Sequence, residues 1–246
     1  AEFADYFWPA VEQYVECTHE YWRSNGKFVP NIVLRLASGG YIGGGLYHSQ
    51  NIEGALATLP GARIVCPSFA DDAAGLLRTA MRSRGFTLYL EPKALYNSVE
   101  ASSVVPEEFE VPFGKARIRR EGTDLSMITY GNTTHFCLNV AERLAQEGWS
   151  VEVIDLRSLI PLDKETIYAS VKKTSKALVV HEDKVFSGFG AEIAAGIGTE
   201  LFRYLDAPVQ RVGSVFTPVG FHPILEKAIL PTEDKIYDAA RTLLEY

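Results

Sequence analysis

Cysteine is scarce in this sequence, and its few copies form no pairing pattern. Cys17, Cys66 and Cys137 are odd in number, far apart, and include no C-x-x-C. That spacing argues against a zinc site and a disulfide framework, and it fits a reducing compartment, the cytosol or an organelle matrix. Long apolar runs are missing too. None approaches the roughly 20 residues a membrane-spanning helix requires, and the opening residues form no basic, apolar, small-residue leader. A soluble protein with no membrane role is the expectation. Nor is there a surplus of positive charge. Lys and Arg number 24 against 31 Asp and Glu, a net charge of −7. Nucleic-acid binding calls for a clustered basic face. The densest basic spot, Arg117, Arg119 and Arg120, reads as alternating side chains on an exposed strand. An acidic surface suits a basic protein partner instead.

Several signature motifs are absent. The glycine-rich stretch from Gly39 to Gly45 contains no G-x-G-x-x-G, and no Gly-Lys-Ser/Thr follows it. Dinucleotide and P-loop roles therefore lack support. No Gly-x-Ser-x-Gly is present, so a hydrolase triad has no anchor. No histidine has an i, i+4 partner of the metal-binding kind. The sequence opens at Ala1 without methionine and runs at once into an amphipathic pattern, which reads as a truncation.

What is present is a regular alternation. With 246 residues, 47% of them hydrophobic, the chain has room for two domains at about 150 residues each. Phe3, Phe7, Val11, Tyr14 and Val15 recur at helical spacing, predicting a helix over 3–22 that Ser24-Asn25-Gly26 breaks. Ile32-Val33-Leu34-Arg35-Leu36 predicts a buried strand, and Arg63-Ile64-Val65-Cys66 and Thr87-Leu88-Tyr89-Leu90 two more. Asp71 and Asp72 mark the first turn of the helix that follows Pro67, running to about Arg82. Residues 98–111, with Pro106 just ahead of Pro112 and no sustained period, read as a linker. Beyond it the pattern predicts strands at 125–130, 151–156, 177–181 and 209–212, with helices at 133–146, 164–173, 190–204 and 234–245. Such βαβ repetition defines an α/β fold with a mainly parallel sheet. The expected division is 1–97, linker 98–111, and 112–246.

One histidine stands in suggestive company. His48 follows a strand and a glycine-rich turn, where open α/β sheets place ligands, and imidazole suits proton transfer near neutral pH. A lone histidine is also commonly structural, and the pattern leaves both readings open. His181 reads as a satisfied residue near the end of a buried strand. Ser187-Gly188-Phe189-Gly190 has an anion-binding geometry in principle, but its commoner meaning is a tight loop fixing a helix entry.

At these residues a family resemblance emerges. Leu46-Tyr47-His48-Ser49-Gln50, Glu91-Pro92-Lys93-Ala94-Leu95-Tyr96 and Ile154-Asp155-Leu156-Arg157-Ser158-Leu159-Ile160-Pro161-Leu162-Asp163 resemble the β subunit of thiamine-diphosphate-dependent 2-oxoacid dehydrogenases. So do Val180-His181-Glu182, Gly188-Phe189-Gly190-Ala191-Glu192 and Ala207-Pro208-Val209. They occur in the family's order along essentially the whole chain. The forms around His48 and Lys93 look most like the branched-chain (2-oxoisovalerate) type, with pyruvate and acetoin members as the alternative.

The resemblance implies a remnant of a pyrimidine-binding domain followed by a transketolase-like C-terminal domain. It implies oxidative decarboxylation of a branched-chain 2-oxoacid with acyl transfer to lipoamide. His48 would be the catalytic residue, and Tyr6 and Glu2 (where the family often has glutamine) would be cofactor-binding residues. The cofactor would be thiamine diphosphate with magnesium. Partners would be an α half, a second β half and a lipoyl acyltransferase. The family's activating glutamate would lie upstream of Ala1, and its Gly-Asp-Gly metal-anchoring motif belongs to the α half and occurs nowhere here. The isolated chain is therefore expected to be inactive and to contribute no metal ligands. The potassium site of some members, near Ala80 to Gly85, is not expected, since Ala80 and Ser83 replace typical ligand types. The rival readings are a non-catalytic dimerisation and acyltransferase-docking module, or a sugar-phosphate enzyme such as a transketolase, for which the Tyr-His-Ser-Gln context offers no phosphate contacts.

Overall fold

The computed structural model describes residues 2–246. The single helix expected over 3–22 is instead a 3-10 turn at Ala4–Ala10 running into an α-helix, α1 (Val11–Arg23). Pro9 accounts for the change, because it has no amide to donate to a helical ladder. Three strands, β1 (Ile32–Ser38), β2 (Ala62–Val65) and β3 (Phe86–Pro92), then form a parallel sheet in the order β1-β3-β2. Between them lie a one-turn helix α2 (Glu53–Leu56), which the sequence reading missed, and α3 (Ala70–Arg82).

The remaining elements follow as β4 (Arg117–Arg120), β5 (Leu125–Thr129), α4 (Thr133–Ala145), β6 (Val151–Asp155), β7 (Ser158–Ile160), α5 (Lys164–Thr174), β8 (Ala177–Lys184), α6 (Gly190–Glu200), β9 (Gln210–Ser214), α7 (Pro223–Ile229) and α8 (Glu233–Leu244). The second sheet has the order β4-β6-β5-β8-β9, parallel except for β4 at one edge. Every residue of β5 and β6 is buried, as expected of central strands covered on both faces. The helix expected over 190–204 ends at Glu200. Leu201 leaves helical φ and buries its side chain, and a separate 3-10 turn spans Phe202–Tyr204.

Two features tie the sheets together. β7 leaves the second half of the chain to pair antiparallel with β2, adding a fourth strand to the first sheet. A buried ion cluster does the same with side chains. Asp72, from the first turn of α3, is fully buried and accepts from Arg157 Nη1 at 2.8 Å and from Arg119. Arg119 also donates to Asp155 Oδ2 at 2.7 Å. Here the reading of Arg117, Arg119 and Arg120 as exposed needs correction. Arg119 turns inward because two desolvated carboxylates neutralise it, whereas Arg117 stays half-exposed beside Asp71. The irregular stretch after β3 packs back onto α3, with Val111 buried against Val65, Leu76 and Tyr89. No helix among the described residues is long and apolar enough to cross a membrane.

Candidate functional site

The loop joining β1 to α2 carries His48. Its glycines are required by geometry at two places in particular. Gly39, at φ +83°, would drive a Cβ to 2.5 Å from Glu182 Oε1, and at Gly44 a Cβ would lie 2.8 Å from the Cβ of His48 itself. An amide–carbonyl bond from Gly39 to Gln50 closes the base of the loop at 3.2 Å. The imidazole then meets the first turn of the chain. Tyr6 Oη lies 2.9 Å from His48 Nε2, and Phe3 stands edge-on to the His48 ring at 4.3 Å between centroids. Asp5 holds this segment to the loop by accepting from Gln50 N at 3.2 Å.

The resemblance implied that Tyr6 and His48 face the same cofactor, and in the structure the two side chains are in direct contact. Glu2 is exposed and makes no hydrogen bond to either. Lys93, from the Glu-Pro-Lys stretch, was not singled out. Its ammonium sits 5.3 Å from the centre of the Phe3 ring and 3.5 Å from Ala37 O. Burial pulls its pKa below that of an ordinary lysine, against the opposing pull of Asp5 and Glu182.

Behind the loop lies a group of buried carboxyls that sequence reading also missed. Glu53 opens α2, five residues beyond His48, and accepts from Tyr130 Oη at 3.0 Å. Its other oxygen has no partner among the described residues. Burial, then the charge of Asp183, pushes its pKa up to about 8. Asp183 in turn accepts from Gly54 N at 3.2 Å and Phe189 N at 3.4 Å. The anion seated at the Ser187-Gly188-Phe189-Gly190 turn is therefore the chain's own carboxylate, which supports the tight-loop reading. His181 differs from expectation. It is buried with neither ring nitrogen paired among the described residues, and desolvation lowers its pKa to about 4. The close approach of Gly190 and Gly213 leaves its ring packed by backbone rather than by acceptors.

No group of three or more His, Cys, Asp or Glu able to hold a metal occurs among the described residues. A cavity of about 650 Å³ lies between α3 and β3, lined by Arg35, Ser68, Glu91 and Tyr96 among others, and His48 is not part of it.

Comparison with known proteins places these features in a family. Residues 1–99 match the transketolase pyrimidine-binding domain and residues 114–236 the transketolase C-terminal domain. The 2-oxoisovalerate dehydrogenase subunit beta of Bacillus subtilis (strain 168) is 40% identical over 100% of this chain and 75% of its own length. Subunit beta 2 of the same enzyme from Arabidopsis thaliana mitochondria is 38% identical, over 100% of this chain and 68% of its own. The chain belongs to the β-subunit family of 2-oxoacid dehydrogenases. Within that family the pyruvate dehydrogenase E1 component subunit beta of Bacillus subtilis (strain 168) is 39% identical, over 92% of this chain and 69% of its own. A solved structure titled "Split gene transketolase, inactive beta4 tetramer" superposes with a TM-score of 0.69 at 23% identity, covering 88% of this chain and 67% of the other. That likeness shows the fold.

This β-subunit family is thiamine-diphosphate-dependent. At the surface around His48, Tyr6 is half-exposed and His48 partly so, with the Phe3 ring edge-on to the imidazole.

Proposed function

We propose that this β-family chain supplies the acyl-transfer wall of a branched-chain 2-oxoacid dehydrogenase, with His48 as its catalytic residue. The observation that carries the reading is the placement of His48. A glycine loop beyond β1 projects the imidazole, and Tyr6 engages its Nε2 at 2.9 Å. A histidine kept only for packing has no need of a partly exposed ring braced on two sides. Tyr6 and Glu2 are the cofactor-binding residues of the same wall. Held beside Tyr6 and Glu2, thiamine diphosphate would supply the nucleophile needed to decarboxylate a 2-oxoacid. His48 holds or delivers a proton as the acyl group passes to lipoamide, whose disulfide is the oxidant and opens to one thioester and one thiol; proton transfer is the role for which imidazole is suited near neutral pH. Tyr6 and Phe3 fix the ring's orientation and keep water from one side of it.

The remaining parts of the assignment are an α half that holds magnesium and diphosphate, a second β half, and a lipoyl acyltransferase. The compartment proposed is the cytoplasm, or the mitochondrial matrix if the source is eukaryotic. Support for branched-chain substrates comes from the Leu46–Gln50 and Glu91–Lys93 motifs and from the 2-oxoisovalerate relatives; pyruvate relatives stand at nearly the same identity. The test uses the complete assembly of α and β polypeptides, with the isolated chain as a control. His48→Ala should reduce lipoamide acylation by between about ten- and a thousandfold, with 2-oxoisovalerate the better substrate than pyruvate. Wild-type acylation by the variant would remove His48 from the chemistry, and a preference for pyruvate would overturn the branched-chain assignment.

A further inference from the structure

The loop that presents His48 is held from the far side by the other half of the chain. Its Gly40 amide donates to Glu182 Oε1, on β8, and its Gly43 amide donates to Glu226 Oε1, on α7, at 3.3 Å. Both carboxylates are buried, so neither is a solvated charge that happens to lie nearby. Two more bonds run the same way. Lys184 Nζ, also on β8, donates to Gln50 Oε1 at 2.7 Å, and Tyr41 Oη donates to Pro231 O, just beyond α7, at 2.8 Å. The space between is closed as well. A Cβ on Gly39 or Gly40 would strike Glu182 or Leu230.

Backbone amides bonded to carboxylates are charge-assisted and stronger than neutral pairs. In a glycine-rich loop, whose backbone is intrinsically free, such bonds determine where the chain rests. We propose that Glu182 and Glu226 are positioning residues for His48: as a pair of carboxylate clasps from the second half of the chain, they fix the Gly40–Gly43 backbone and so set where the imidazole is presented. Through them the half of the chain that carries no residue of the His48–Tyr6–Phe3 cluster controls the geometry of that cluster. The inference rests on the assignment of His48 as the acyl-transfer residue.

Glu226 is the better site for a test, because it holds the loop through the Gly43 amide alone and its removal leaves the Gly40–Glu182 bond in place. In hydrogen-exchange mass spectrometry of the whole chain, Glu226→Ala should accelerate exchange in the peptide covering residues 40–48 by about tenfold or more. Exchange in β5 and β6 should be unchanged. In the assembled enzyme the same variant should lower the acyl-transfer kcat by about ten- to a hundredfold with a smaller change in KM. Glu226→Gln keeps an oxygen acceptor and should recover part of both losses, which a purely electrostatic role for the carboxylate would not permit. Unchanged exchange over 40–48 would overturn the clasp, and faster exchange with wild-type kcat would overturn the positioning role. His48→Ala in parallel separates the two claims. If that variant transfers acyl groups normally, the assignment of His48 is at fault, while the exchange result still decides whether the clasp holds the loop.

Discussion

The buried Glu53 carboxyl has one oxygen bonded to Tyr130 and the other without a partner among the described residues, which links its proton to folding. Its folded pKa is raised from an ordinary 4.5 to about 8, so between those values the folded state binds the proton that the unfolded state has released. Stability from this group is therefore fully present below about 4.5 and is lost as pH rises toward 8. Because Asp183 lies against it, the proton belongs to the pair rather than to one oxygen. His181 contributes with the opposite sense. Its folded pKa of about 4 lies below its ordinary 6.5, so its contribution is present above 6.5 and lost as pH falls through 4. Glu53→Gln keeps the shape and cannot ionise. Urea midpoints measured at about pH 5 and 8 should fall less with rising pH in that variant than in wild type, and equal falls would remove Glu53 from the titration. Neither group could be recognised from sequence. Glu53 sits in an unremarkable Asn-Ile-Glu-Gly stretch, and only tertiary burial distinguishes it. His48 and Tyr6, by contrast, were singled out through a family resemblance, and nothing in its motifs revealed the hydrogen bond between them.

Among the elements, β4 shows how a short strand acquires importance from what it carries. Arg119 bridges Asp72 of α3 and Asp155 of β6, both fully desolvated. Removing one partner of a buried ion cluster leaves uncompensated charge, a loss of about 3–5 kcal/mol. Arg119→Met should therefore destabilise by that amount in urea denaturation. Arg117→Met, at a half-exposed site, should change stability by under about 1 kcal/mol. The central strands of the second sheet were easy to read because both faces are covered, leaving Leu125–Ile128 and Val151–Ile154 apolar except at Ser126 and Glu152. β7 was not. Three residues, Ser158, Leu159 and Ile160, carry no period, and the partner strand β2 lies far earlier in the chain. The inward turn of Arg119 was hidden for a similar reason, since a basic run gives no sign of the carboxylates that will face it.

At the scale of the whole molecule, the halves are joined by a shared strand, an ion cluster and the carboxylates beneath the His48 loop. Cooperative unfolding is the expected result. Trp8 and Trp22 report on the first half and Trp149 on the second, so variants retaining either set follow the halves separately. Their urea transitions should coincide; two separated midpoints would mean that the halves unfold independently. The shared strand also affects how the polypeptide can be divided. Val99 and Val104 stand almost entirely in solvent in the irregular stretch after β3, which looks like an ideal place to cut. Yet a cut there assigns β7 to one product and β2 to the other. The two products would be complementary pieces, each exposing an edge that only the other can cover. The chain thus lends itself to split-protein complementation, in which recovery of the folded pair reports that two separately made polypeptides have found each other.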